Sequence, residues 1–134
     1  MIARDLMQEQ VITVSEEDSL DEVSHRLQHE HVHGAPVASP DGELVGFVTQ
    51  GDVLFGSLGM ATTEPDSKRA PLRVRDVMTS PAVSADEDTP IADLCRIMWR
   101  LRLHALPILN DGRITGIVSS LDLARAVAEG DLNP

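Results

Sequence analysis

The chain repeats itself, and that limits what it can fold into more than any other feature. Shifted by 71 positions, Arg4-Asp5-Leu6-Met7 falls on Arg75-Asp76-Val77-Met78. The same shift lays Glu16 on Glu87, Leu20 on Ile91, Val23 on Leu94 and Leu27 on Met98. It also lays His33-Gly34-Ala35-Pro36-Val37 on His104-Ala105-Leu106-Pro107-Ile108. A single-residue gap then lowers the shift to 70: Asp41-Gly42 meets Asp111-Gly112, Gly46-Phe47-Val48-Thr49 meets Gly116-Ile117-Val118-Ser119, and Asp52 meets Asp122. The chain therefore reads as a first repeat over residues 1–55, a linker over 56–73 and a second repeat over 74–134. Gly56, Gly59, Pro65 and Pro71 punctuate the linker around a polar stretch at 62–68.

Each repeat carries the same order of local signals. Residues 11–14 and 82–85 are β-branched or small and read as strands. Acidic stretches follow at 15–18 and 86–88, suited to a helix N-terminus by dipole and capping. Leu20, Val23 and Leu27, and Ile91, Leu94, Cys95, Met98 and Leu101, recur at the three- and four-residue spacing of amphipathic helices. Residues 35–38 and 106–109 read as strands that turn back at Asp41-Gly42 and Asp111-Gly112, where glycine supplies a positive φ. Residues 44–48 and 114–118 return as strands, and a second helix opens near Gln50 or Ser120. The fold class is α/β, with the order β-α-β-β-α twice. About fifty residues bury too little surface to be comfortable alone, so the two repeats are expected to pack their sheets into one module.

Composition removes several functions. With eleven Lys+Arg against twenty-two Asp+Glu, the formal charge is -11. Such a surface repels phosphate backbones unless it carries a basic stripe. The aromatic residues are Phe47, Phe55 and Trp99, too few for single-strand stacking platforms. No nucleic-acid partner is expected. No apolar run approaches a membrane span or a signal peptide, so no membrane partner is expected and the cytoplasm is the default location. Cys95 is the single cysteine, which excludes an internal disulfide and fits a reducing compartment; on the apolar helix stripe it reads as buried and inert. Dinucleotide fingerprints, phosphate loops and nucleophile elbows are absent, so no catalytic residue is assigned.

The order of short motifs, repeated twice, resembles tandem cystathionine β-synthase (CBS) domains. Those motifs are Asp-aliphatic-Met, His-x-x-Pro-aliphatic, an Asp-Gly turn and Gly-aliphatic-Val-(Ser/Thr)-x-x-Asp. The resemblance implies a stand-alone pseudo-twofold pair whose clefts bind an adenosine-containing ligand: AMP, ADP, ATP or S-adenosylmethionine, with Mg²⁺ where a polyphosphate is held. It also implies homodimers. By position, Asp52 and Asp122 would accept hydrogen bonds from a ribose diol, and Thr49 and Ser119 would contact phosphate. Thr13 and Ser84 would line the nucleoside pocket. His33 and His104 would reach phosphate. Ala35 with Pro36, and Leu106 with Pro107, would set apolar surface against a purine. The γ subunit of AMP-activated protein kinase, whose phosphate-contacting position these histidines resemble, often has an arginine beside it, where this chain has Gly34 and Ala105. Polyphosphate would then lean on Arg4, Arg73, Arg75 or Arg102, or on the metal.

Plainer readings stand beside these. Thr49-x-x-Asp52 and Ser119-x-x-Asp122 also have the form of helix capping boxes, which need no ligand, although cap and ligand contact can coexist. Thr13 and Ser84 also read as a strand threonine and a residue beside a helix cap. Ala35, Pro36, Leu106 and Pro107 also read as ordinary core. His25, His29 and His31, with His33, form the densest set of metal-ligand types, either on a helix face or on a straightened strand, but they lie opposite the apolar stripe and read as a solvated face. Trp99, Leu101, Leu103, Phe55, Leu58 and Met60 supply apolar area for a homodimer or, equally, for covering the monomer's own core.

The expectation is a regulatory sensor that binds an adenosyl ligand, shifts between two arrangements and passes that change to an effector protein outside this chain. A dimerisation or adaptor scaffold with empty clefts, and a histidine-based metal sensor, are the alternatives.

Overall fold

The first strand of each repeat is shorter than its β-branched sequence predicts, and a proline explains it. In the computed structural model, which describes residues 1–62 and 72–130, residues 11–14 form only one bridge, Val14 parallel to Val37. Val14 donates to the Pro36 carbonyl at 3.1 Å and accepts from the Ala38 amide at 2.9 Å. The next rung back would need an N–H from Pro36, which proline lacks, so pairing stops before Ile12. The second repeat behaves alike. Strand β3 is only Ala85–Asp86, paired parallel with β4 (Ala105–Asn110), where Pro107 removes the matching donor.

The remaining elements follow the pattern of the sequence. Before β3 come helices α1 (Ala3–Leu6), α2 (Leu20–His29), α3 (Gln50–Thr62) and α4 (Val74–Val77), with strands β1 (Gly34–Ala38) and β2 (Leu44–Thr49) between α2 and α3. After it come α5 (Ile91–Leu101), β4, β5 (Arg113–Ser119) and α6 (Ser120–Ala128). The Asp111-Gly112 turn joins β4 and β5 with both residues at positive φ, 52° and 79°, the two-residue geometry that matches strand twist. The first repeat turns with one residue more and with Gly42, but not Asp41, at positive φ, 84°; the extra residue accounts for the gap in the repeat.

The acidic stretches lie one turn earlier than expected. The helices begin at Leu20 and Ile91, so Ser15–Asp18 and Asp86–Thr89 hydrogen bonds close turns ahead of the caps instead. Ser19 caps α2 by accepting from the Glu22 amide at 3.2 Å, and Pro90 opens α5 without a side-chain cap.

The chain divides into two compact units, Met1–Val11 with Val83–Pro134, and Ile12–Ala82. Each unit therefore takes its short entrance helix from the other repeat. In the first, Ala3 and Arg4 donate to the Thr89 and Glu87 carbonyls, and Gln8 exchanges backbone bonds of 2.8 and 3.0 Å with Ile117. In the second, Val74 and Arg75 donate to the Asp18 and Glu16 carbonyls, and Thr79 exchanges bonds of 2.9 Å with Phe47. The aspartate of each Asp-aliphatic-Met motif closes its helix by accepting from a backbone amide: Asp5 from Ile2 at 2.9 Å, Asp76 from Arg73 at 2.8 Å. The methionine then lies on the glycine of the strand motif. A Cβ placed on Gly116 would sit 2.5 Å from Met7 Sδ, and one on Gly46 would sit 2.7 Å from Met78 Sδ.

One core serves each unit. Val23, Leu27, Ala35, Val37, Val48 and Val74 are buried together in one, and Ala3, Leu94, Met98, Leu106, Ile108 and Val118 in the other. Cys95 is exposed rather than buried. At 100° per residue the buried stripe of α5 centres on Leu94 and Met98, and Cys95 lies about 80° away on its rim. The linker's middle, with Pro65, Pro71 and the 62–68 stretch, lies outside the described residues except for the backbone of Thr62, as does the side chain of Met60.

Candidate functional site

Two sites, one per unit, are built alike at the junction between the second hairpin strand and the helix after it. In the first, the Gln50 amide donates to the His33 carbonyl at 2.8 Å, and β2 lies against β1 with Thr49 opposite Gly34. This brings His33, Thr49 and Asp52 to one helix start. In the second, Ser120 donates to the His104 carbonyl at 2.8 Å and Ser119 lies opposite Ala105, which gathers His104, Ser119 and Asp122. Both imidazoles are exposed.

The capping boxes are present. Asp52 Oδ2 accepts from the Thr49 amide at 2.9 Å, while Thr49 Oγ1 accepts from the Asp52 amide at 3.1 Å. Asp122 Oδ2 accepts from the Ser119 amide at 2.8 Å and its hydroxyl at 2.9 Å, and Ser119 Oγ accepts from the Asp122 amide at 3.2 Å. In both cases the cap uses a single carboxylate oxygen, Oδ2. The other oxygen faces different surroundings. Among the described residues, Asp52 Oδ1 takes no hydrogen bond. Asp122 Oδ1 accepts from Gln8 Nε2 at 3.0 Å and has Arg125 Nη2 at 3.7 Å, and this residue is only 7% exposed. Capping therefore leaves a carboxylate oxygen over, which the capping motif alone does not reveal.

The other expected residues divide. Thr13 and Ser84 are half-buried on the approach to Val14 and Ala85, and the Thr13 carbonyl accepts from Arg26 at 2.7 Å. Ala35, Pro36, Leu106 and Pro107 are fully buried within their units' cores, so packing accounts for their side chains. Arg4 pairs with Glu87 and Asp88, and Arg75 with Glu17, whose carbonyl also accepts from Arg73. Arg102 stacks 5.4 Å from the Trp99 ring centre. The four cations expected to serve a polyphosphate are thus engaged elsewhere. A hollow of about 590 Å³ beside Arg4 is lined by Asp86, Glu87, Asp88 and Asp111, an acidic surface that disfavours phosphate.

The histidine cluster follows the helical geometry only as far as His29. Glu30 caps α2, His31 adopts φ 56°, and the strand starts at Gly34, so His29, His31 and His33 share no strand face. His25 Nδ1 lies 2.9 Å from the Asp21 carbonyl. No three His, Cys, Asp or Glu side chains among the described residues gather as a metal-ligand set.

Comparison with known proteins decides the family: the model of the CBS domain matches residues 3–59 and again 74–129. The chain belongs to the CBS domain family. Within it, the chain resembles the uncharacterized protein MJ1225 of Methanocaldococcus jannaschii, 28% identical over 122 residues that cover 91% of this chain and 41% of that protein. It thus spans about two fifths of that relative. Among solved CBS pairs, Arabidopsis thaliana CBSX2 in complex with AMP shares 25% identity and a TM-score of 0.85, covering 98% of each chain. The CBS domain pair of MJ0100, in complex with 5′-methylthioadenosine and S-adenosyl-L-methionine, shares 24% identity and a TM-score of 0.81, covering 97% of this chain and 98% of that one. The chain is a tandem CBS pair.

Reading the sequence missed Gln8. Its one available signal was asymmetry: in otherwise matching segments the residue after the motif methionine is Gln8 in one repeat and Thr79 in the other. It also passed over Leu54 and Leu121, exposed apolar residues on α3 and α6.

Proposed function

We propose that this CBS pair is a regulatory module, not an enzyme, that binds an adenosine-containing ligand at its helix-start aspartates and passes the resulting change to an effector protein. The observation that carries this reading is Asp52 Oδ1, which takes no hydrogen bond among the described residues, at the helix start shared by Thr49 and the His33 backbone. A carboxylate accepts hydroxyl donors, as a ribose diol requires, and the positive end of the α3 dipole favours a phosphate nearby. The AMP complex of CBSX2 supports the ligand class.

The engaged state of Arg4, Arg73, Arg75 and Arg102 favours a monophosphate over a triphosphate, which would call for Mg²⁺. The chain's charge of -11 keeps S-adenosylmethionine, a sulfonium, as a further candidate. The cytoplasm is the proposed location, supported by an exposed free thiol, and no helix among the described residues is long and apolar enough to cross a membrane.

Thermal unfolding with AMP, ATP, S-adenosylmethionine and Zn²⁺ tests the reading, because a ligand of the folded state stabilises it by about 2.7 kcal/mol at roughly 100 times its Kd. AMP should raise the Tm, and Asp52→Asn should abolish the rise while an Asn oxygen keeps the cap. A rise with Zn²⁺ alone would favour a metal sensor.

A second reading, a dimerisation scaffold with empty sites, draws on exposed apolar side chains: Phe55 (74% exposed), Trp99 (72%) and Leu121 (79%). A homodimer is proposed under either reading. Dimers that respond to no adenosyl ligand would leave the scaffold standing.

A further inference from the structure

The two sites share their cap but differ in what holds the second carboxylate oxygen, and every partner of that oxygen comes from the same unit. Beside Asp122, Gln8 Nε2 occupies Oδ1 at 3.0 Å and Arg125 stands 3.7 Å away. The repeat places Thr79 where Gln8 would be for Asp52, and Phe55 where Arg125 would be. Neither reaches the Asp52 carboxylate. Gln8 is held in place by more than its side chain, since its backbone exchanges two bonds with Ile117, two positions before Ser119.

We propose that Gln8 makes the two sites unequal, so that one adenosyl ligand binds per chain, at Asp52, and the Gln8 amide must leave Asp122 before a second ribose can be accepted. This rests on the ligand class proposed above. At Asp52 an arriving diol meets an oxygen that takes no hydrogen bond among the described residues. At Asp122 it must break the Gln8 N–H bond to a carboxylate oxygen that also has Arg125 3.7 Å away. Hydrogen bonds to charged groups of this kind are worth roughly a 10- to 100-fold change in affinity. The Asp122 site is therefore expected to bind at least ~10-fold more weakly than the Asp52 site.

The test is isothermal titration of the full chain with AMP. Wild type should titrate one site per chain. Gln8→Thr, which installs the residue the first repeat carries, should titrate two. Asp52→Asn should remove the single site of wild type and leave one in the Gln8→Thr background. Gln8 is an exposed residue whose backbone pairing does not depend on its side chain, and circular dichroism of each variant checks that the fold is retained. Two equal sites in wild type would overturn the inequality while leaving the ligand class intact, and so would a single site in Gln8→Thr. Binding by neither protein would overturn the ligand class, and this inference with it.

Discussion

Replacing Gly116 with alanine tests the seat of the exchanged entrance helix. The added methyl would lie 2.5 Å from Met7 Sδ, 2.8 Å from Cγ and 3.0 Å from Cβ. Carbon contacts settle near 3.5–4.0 Å, so the side chain must withdraw by up to about 1 Å. Rotation about χ1 moves Sδ and Cγ but leaves Cβ where it is. Relief must therefore come from the backbone, which the two Gln8–Ile117 bonds of 2.8 and 3.0 Å resist. Overpacking of this kind costs about 1–3 kcal/mol, and one weakened hydrogen bond adds about 1 kcal/mol. The expected loss is about 2–3 kcal/mol. Urea denaturation followed by circular dichroism and by Trp99, which lies in the same unit, measures it.

Two other glycines calibrate the result. Gly42→Ala, at φ 84° with open space around it, should cost about 1 kcal/mol from backbone strain alone. Gly59→Ala, in the interior of α3, should be neutral or stabilising by up to about 1 kcal/mol through helix propensity. In a double-mutant cycle, Met7→Ala should cost less beside Gly116→Ala than alone. A Gly116→Ala chain as stable as wild type, or strictly additive effects with Met7→Ala, would refute the reasoning.

Further expectations follow from the same geometry. Ser119→Ala removes a cap acceptor and should cost about 1 kcal/mol in thermal or urea unfolding; an unchanged midpoint would show that Asp122 holds α6 alone. Leu27→Ala, at a fully buried position, should cost about 2–5 kcal/mol, whereas the exposed Leu121→Ala should stay within about 0.5 kcal/mol; equal effects would contradict the assignment of the core. Light scattering should give about twice the 14.5 kDa chain mass, with Phe55→Glu shifting it toward the single chain; a monomer at every concentration would remove the homodimer.

How much of this was legible in the sequence depended on whether the cause was local. Helices α2 and α5 follow from the spacing of Leu20, Val23 and Leu27 and of Ile91, Leu94 and Met98, because burying one face is decided within the helix. The hairpins follow from Asp-Gly pairs that tolerate positive φ. Pairing is a different matter. Pro36 and Pro107 were visible, yet what they cost became clear only once the pairings at Val14 and Ala85 showed that the rung before each needs the N–H a proline lacks. The exchange of entrance helices was hidden by the repeat itself: Met7 fits Gly46 as well as Gly116 on paper, since both repeats carry the same motif. At the site, the spacing of Thr49 and Asp52 predicted a cap and a ligand contact that can coexist, without saying how. The geometry assigns the cap to one oxygen and leaves the other without a hydrogen bond among the described residues, a division that residue types cannot express. Gln8 came from a distant stretch of chain, with nothing in its residue type to mark it.

The most direct test of the central claim is a ¹⁵N-resolved NMR titration of the chain with AMP. Saturable shifts at sub-stoichiometric and equimolar AMP should concentrate on the amides of Gly34, Thr49, Gln50 and Asp52, and vanish in Asp52→Asn. Shifts centred elsewhere, such as on the acidic hollow beside Arg4, or a spectrum that AMP leaves unchanged, would contradict the claim.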